Sequence, residues 1–172
     1  VSKLPVFAIP VRSYVRQFLL LEFGGQQPYA VHQNTFMGRV VQMKIEKFPF
    51  RQLRRPERPE GAVFELTLPT ALKHYTLSAE SARQIGAMFE KLFQQQMIMW
   101  VKAQVAATGN ERAALRSFCK LYEIDPSEAD LEVLRKCYRD YKDKVLKDNG
   151  HYRMLYEPAG REELFSDFAL AS

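Results

Sequence analysis

The longest run of regularly spaced apolar residues lies between Ser78 and Val105. Ile85, Phe89, Leu92, Phe93, Met97, Trp100, Val101 and Val105 recur at intervals of three and four, the period of a helix buried along one side. Ser78 suits its N-cap, Glu80 is favourable against the helix dipole, and Gly109 suits the left-handed residue that ends it. Roughly thirty residues at helical rise span about 45 Å, more than a small core covers easily. Met88, Met97, Met99 and Trp100 widen the stripe, so this helix is expected to be covered from more than one side, by its own chain or by a second copy.

The other elements arrange themselves around it. Val6–Val11 is short, apolar and bracketed by prolines, which predicts an edge strand. Ser13 suits the N-cap of a helix through Glu22 that Gly24 and Gly25 stop. Asn34 is the next cap candidate, for a helix through Phe36, Met37, Val40, Val41, Ile45 and Phe48 that Pro49 ends; Gly38 is out of character inside it. From Ala62 to Leu77 the alternation of Phe64, Leu66 and Leu68 with Glu65 and Thr67 predicts a strand, and the residues Leu72–Leu77 a returning one, with the turn at Pro69-Thr70-Ala71.

Beyond the long helix, Asn110 caps a shorter helix carrying Ala113, Ala114, Ser117, Phe118 and Leu121. Asp125-Pro126-Ser127-Glu128 then combines an acidic cap, proline at the first helical position and a glutamate three residues after the cap, a strong start signal. Leu131, Leu134, Cys137, Tyr138 and Tyr141 supply the inner face of this last helix, and Asn149-Gly150 stops it. The expected fold is α+β and mostly helical: a small antiparallel sheet, made of the N-terminal strand and a hairpin near 62–77, packed on a long central helix and followed by a helical pair. Residues 1–150 are expected as one domain, with 51–61 as an exposed loop and 151–172 as a tail or docking segment. The final stretch around Leu164, Phe165 and Phe168 has the pattern of a short amphipathic helix.

Composition narrows the function. Of 172 residues 47% are hydrophobic and 12% aromatic, enough to exclude wholesale disorder, and no apolar run approaches the roughly 20 residues of a spanning helix. The opening residues lack the basic and apolar regions of a secretory signal. Cys119 and Cys137 fall in helical patterns and suit buried thiols in a reducing cytoplasm. Neither cysteine has zinc spacing, and His32, His74 and His151 lie far apart. There is no phosphate-cradling glycine loop, nucleophile elbow or paired-histidine helix. A non-enzymatic protein without metal, cofactor, membrane or small-molecule substrate is expected.

The net charge of +5 favours anionic partners, and it is concentrated in two places. Arg51, Arg54, Arg55 and Arg58 are interleaved with Pro56, Pro59 and Gly61, a density of proline that rules out a helix and predicts an exposed arm whose forked guanidinium groups match phosphate oxygens. From Arg135 to Lys147, in the later part of the last helix, Arg135, Lys136, Arg139, Lys142, Lys144 and Lys147 stand against only Asp140 and Asp143, with Tyr138, Tyr141 and Tyr152 nearby. Bases late in a helix also suit its dipole, so this ridge has a purely structural explanation beside the phosphate-binding one.

The stretch from Ala114 to about Lys144 resembles the helix-turn-helix units of small DNA-binding proteins. It departs from that motif in two ways: Ile124-Asp125-Pro126 stands where a small turn with glycine is usual, and Asp125, Glu128, Asp130 and Glu132 occupy the start of the second helix, where the motif approaches base edges. In its general build the chain also resembles small accessory proteins of bacteriophages and mobile elements, on no particular motif. The expected function is binding of nucleic acid, DNA first, as a regulator or an accessory to replication or recombination. The alternative is an assembly protein that self-associates through Met88, Leu92, Met97, Met99 and Trp100.

Overall fold

The computed structural model describes residues 4–47, 58–125 and 131–157. The fold is α+β, with a small sheet and a long helix. The chain divides into two compact units, 1–92 and 93–172, and their boundary falls inside the long helix, well short of the expected domain end at residue 150.

In the first unit, β1 (Val6–Pro10) forms the edge of a three-stranded sheet, as its prolines require. It runs antiparallel to β4 (Val63–Thr67), with Phe7 opposite Leu66 and Ile9 opposite Phe64. β2 (Tyr29–Ala30) lies along the other side of β4, parallel to it. The alternation in β4 points Phe64, Leu66 and the following Leu68 inward, all buried. Both edges of β4 are therefore occupied, and the hairpin predicted over 62–77 does not form. After β4 the chain makes a 3-10 turn at Thr70–Leu72, and β5 (Tyr75–Thr76) pairs instead with β3 (Glu46–Lys47) in a separate two-stranded ladder.

Helix α1 spans Ser13–Glu22 and buries Tyr14, Val15, Phe18 and Leu19. Its cap position is Arg12 rather than Ser13, with no side-chain capping bond, because Ser13 is already the first helical residue. Gly24 and Gly25, both at positive φ, carry the chain away from it. Helix α2 is shorter than its pattern predicts, Phe36–Gln42 rather than through Phe48. Its last residues are drawn off because Glu46 and Lys47 pair with β5. Its cap is Thr35, one residue later than expected: the Thr35 hydroxyl accepts from the Gly38 amide at 3.1 Å and donates to the His32 carbonyl. Gly38 itself has a packing reason. A Cβ at that position would collide with the His32 carbonyl group, so α2 can fold back on the preceding loop only with glycine there.

Helix α3 covers Ala79–Thr108. Ser78 caps it, accepting from the Ser81 amide at 3.1 Å. In the first unit Ile85 and Phe89 are fully buried, and Phe89 meets Phe64 edge to face at 6.1 Å. Gly86 lies against the Pro10 carbonyl of β1. In the second unit Phe93, Met97, Val101 and Val105 continue at intervals of four, all fully buried. A row with that interval drifts about 40° per step around a helix of 3.6 residues per turn, which is why the apolar side of α3 looks wide in sequence.

The described part of the second unit is helical throughout. Gly109, at positive φ, ends α3, and Asn110 caps α4 (Glu111–Leu121) by accepting from the Ala113 amide. Helix α5 covers Leu131–Tyr141; the proline-marked start signal at 126–128 lies outside the described residues. A π-helical turn, Lys142–Leu146, follows directly, with Gly150 at positive φ and then α6 (His151–Tyr156). Leu155 of α6 is buried, so this part of the expected tail belongs to the core of the unit. The residues around Leu164 and Phe168 lie outside the described residues.

Gly86→Ala tests the contact between α3 and β1. Alanine is the better helix former by about 1 kcal/mol, yet the added methyl meets backbone that cannot yield, so a net loss of about 1–3 kcal/mol is expected in urea unfolding. A gain in stability would mean that α3 is not pressed against β1.

Candidate nucleic-acid interface

The strongest polar constellation in the described residues joins Glu111 of α4, Tyr138 of α5, Lys142 in the π turn and Tyr156 of α6. The Lys142 ammonium donates to the Glu111 carboxylate at 2.7 Å, with the two side chains only 19% and 33% exposed. The same ammonium sits 4.9 Å from the centre of the Tyr156 ring. The Tyr156 hydroxyl donates to the Tyr138 hydroxyl at 3.0 Å. Tyr152 stacks on Tyr156, and Lys147 lies 5.5 Å over the Tyr152 ring.

The π turn sets the register of these contacts. Its Lys147 amide bonds to the Lys142 carbonyl, five residues back. Five residues of this wider turn separate two lysines; four residues of α-helix separate Tyr152 from Tyr156. Each lysine then meets one ring, Lys142 on Tyr156 and Lys147 on Tyr152.

Burial raises the pKa of both phenols. Tyr138 is pushed up to about 12, by burial first, with the charges of Glu111 and Tyr141 adding and the Tyr156 hydrogen bond opposing. Tyr156 is raised further, again by burial first and then by hydrogen bonding with Tyr138 and Glu111. On the exposed side, Lys147 binds Asp143 at 2.7 Å and holds that carboxyl below its usual range.

These contacts sort the bases of the predicted ridge. Lys142 is held by Glu111, Lys147 by Asp143 and Tyr152, and Arg135 by Glu132 at 2.6 Å. Lys136, Arg139 and Lys144 are exposed and form no salt bridge among the described residues, although Arg139 contributes to the field at Asp143. Of the predicted arm, Arg51, Arg54 and Arg55 lie outside the described residues, and Arg58 binds Glu65 of β4 at 2.9 Å.

The five residues proposed for self-association are dispersed. Met97 is fully buried in the core of the second unit. Trp100 is half-buried, its indole N–H donating to the Ser117 hydroxyl at 2.9 Å. Met88 and Leu92 are half-buried, and Met99 is 54% exposed.

A row absent from the predicted set stands on α4: Arg112, Arg116 and Lys120, four residues apart and all exposed. The signal that would have found it is in the sequence, since Glu111 is the only acid of α4 against these three bases. What could not be read is that Glu111 is engaged by a lysine 31 residues away.

No protein-family model, curated protein or solved structure matches this chain.

Above pH 10, the ordinary tyrosine value, Tyr138 ionises in the unfolded chain while the fold keeps it neutral up to about 12. The unfolded state then binds fewer protons than the native one, and stability falls with rising pH. The stability advantage of the wild type over Tyr138→Phe should therefore shrink between pH 10 and 12, the interval between the two Tyr138 values. Thermal unfolding of the two proteins across this range measures it; a constant difference would show that the hydroxyl is not protected.

Proposed function

We propose that the chain binds nucleic acid, DNA in the first instance, through phosphate contacts made by its second unit. The observation that carries this reading is the set of exposed bases on α5 and the π turn, Lys136, Arg139 and Lys144, that no carboxylate among the described residues bridges. An unneutralised cluster of this kind attracts a polyanion and gains from the release of its counterions. The arginines at 51, 54 and 55 add positive charge in the sequence. The acids at the start of the second helix, Asp125 and Glu132 among them, speak against base reading by that end, so the contacts proposed are to the backbone of the nucleic acid. No helix among the described residues is long and apolar enough to cross a membrane. A reducing, cytoplasmic setting accords with the two free cysteines, of which Cys119 is buried with its thiol pushed up by burial.

Binding to unrelated duplexes at several salt concentrations checks the proposal. Log affinity should fall linearly with log salt, and joint replacement of Lys136, Arg139 and Lys144 by alanine should reduce the slope by about 2–3 with little change in unfolding temperature. No binding at low salt would end this reading.

Self-association through α3 is a second reading, favoured by the exposed Met99. It expects a species larger than the 20.0 kDa chain in sedimentation at micromolar concentration. Met99→Glu should return it to the monomer without unfolding it, because the side chain is exposed. A single 20.0 kDa species throughout excludes it.

A further inference from the structure

Three features of the molecule stand outside the functional reading. One is the tyrosine and lysine cluster behind α4, which is closed by its own contacts. Another is the exposed pair Phe36, at the start of α2, and Met43, just after its end, beside which nothing indicates an occupant. The third is the outer row of α4, and this one points to a ligand.

We infer that Arg112, Arg116 and Lys120 form a phosphate-tracking row, the main electrostatic contact between this chain and a nucleic-acid strand; the inference rests on the proposed function and assigns it a second helix. Three physical facts support it. At 1.5 Å rise per residue, bases four apart repeat about every 6 Å along the helix and about 40° around it, so the three lie in one gently turning line. A regular line of cations suits a ligand with regularly repeated anions, as a nucleic-acid strand has, better than it suits a single phosphate group. Two of the three are arginines, whose planar fork meets phosphate oxygens two at a time.

The line is also unscreened. None of the three side chains forms a salt bridge or another polar contact among the described residues. The one carboxylate of α4, Glu111, is held by Lys142 at 2.7 Å, only partly exposed. The single acid of α4 is thus already engaged by a base outside the row. Glu111 also lies toward the core side of α4: its neighbours three and four residues on are Ala114 and Leu115, so it does not face the row. By contrast α5 carries Glu132 and Asp140 among its bases, and Arg135 is bridged to Glu132. The sharper concentration of unneutralised charge in the second unit is therefore on α4.

The buried side of α4 holds Ala114, Leu115, Phe118 and Cys119 in the core. The row is on the opposite part of the helix, so replacing it removes charge and leaves the packing intact. That separation makes the test clean. The triple variant Arg112→Ala, Arg116→Ala, Lys120→Ala is compared with the wild type and with a matched variant, Arg39→Ala, Lys47→Ala, Lys73→Ala, which loses the same net charge from exposed positions of the first unit. The probes are a 20-base-pair duplex and a single strand of equal length, titrated at several salt concentrations.

The α4 variant is expected to lose about 2.7 from the salt slope on duplex DNA, or about 2.1 on the single strand, the amounts for three lost phosphate contacts. The matched variant should lose less than one third of that, and all three proteins should unfold at the same temperature. A second variant, Arg112→Lys with Arg116→Lys, keeps the charge and should keep the slope while weakening affinity severalfold. An α4 variant with an unchanged slope, or a matched variant that loses as much, overturns the inference and leaves the proposed function standing on α5. A wild type that binds neither probe at low salt removes both.

Discussion

The ion pair between Glu111 and Lys142 governs the second unit. It joins the first turn of α4 to the π turn that follows α5, at 2.7 Å and largely sheltered from water. Sheltered charges cost desolvation energy, and removal of either partner would strand the other. The surrounding hydrogen bonds and rings offset that cost: Tyr156 lies beneath the ammonium, and its hydroxyl bonds to Tyr138, which is fully buried in the core. The pair thus positions α4, α5, the π turn and α6 together. It also decides which charges remain available to a partner. It holds the one acid of α4 and one of the six ridge bases, which leaves Lys136, Arg139 and Lys144 on the ridge and the outer row of α4 without a bridging carboxylate among the described residues.

The first unit depends on a different constraint, the approach of backbone to backbone. Gly86 lets α3 lie on the Pro10 carbonyl, and Gly38 lets α2 lie on the His32 carbonyl. Each glycine stands inside a helix, where it costs stability relative to alanine. The cost is offset by close packing of the sheet on α3, seen in the edge-to-face contact of Phe64 with Phe89. A glycine that looks out of place in a helical pattern, as Gly38 does, is in this fold the mark of a crossing.

The sequence by itself determined the class of fold, the edge strand, the long helix with its Ser78 cap and Gly109 stop, the Asn110 cap, and the glycine stops after α1 and before α6. These are local: a cap is a hydrogen bond three residues long, a stop is one residue at positive φ, and a buried stripe is a period. It also determined that the second half carries clustered bases. Tertiary structure alone decided what these elements meet. Residues 72–77 had the look of a returning strand, but β4 was already paired on both edges, and β5 went to Glu46–Lys47 instead, ending α2 early. The width of the α3 stripe did not distinguish core from surface, and Met97 proved to be core while Met99 did not. The same holds for charge. A count of lysines and arginines cannot tell which have a carboxylate beside them, because Lys142 finds Glu111 across 31 residues of chain and Arg58 finds Glu65 on a strand. Charge is a property of sequence, but free charge depends on pairing at distances of a few ångströms, and only the folded chain fixes those.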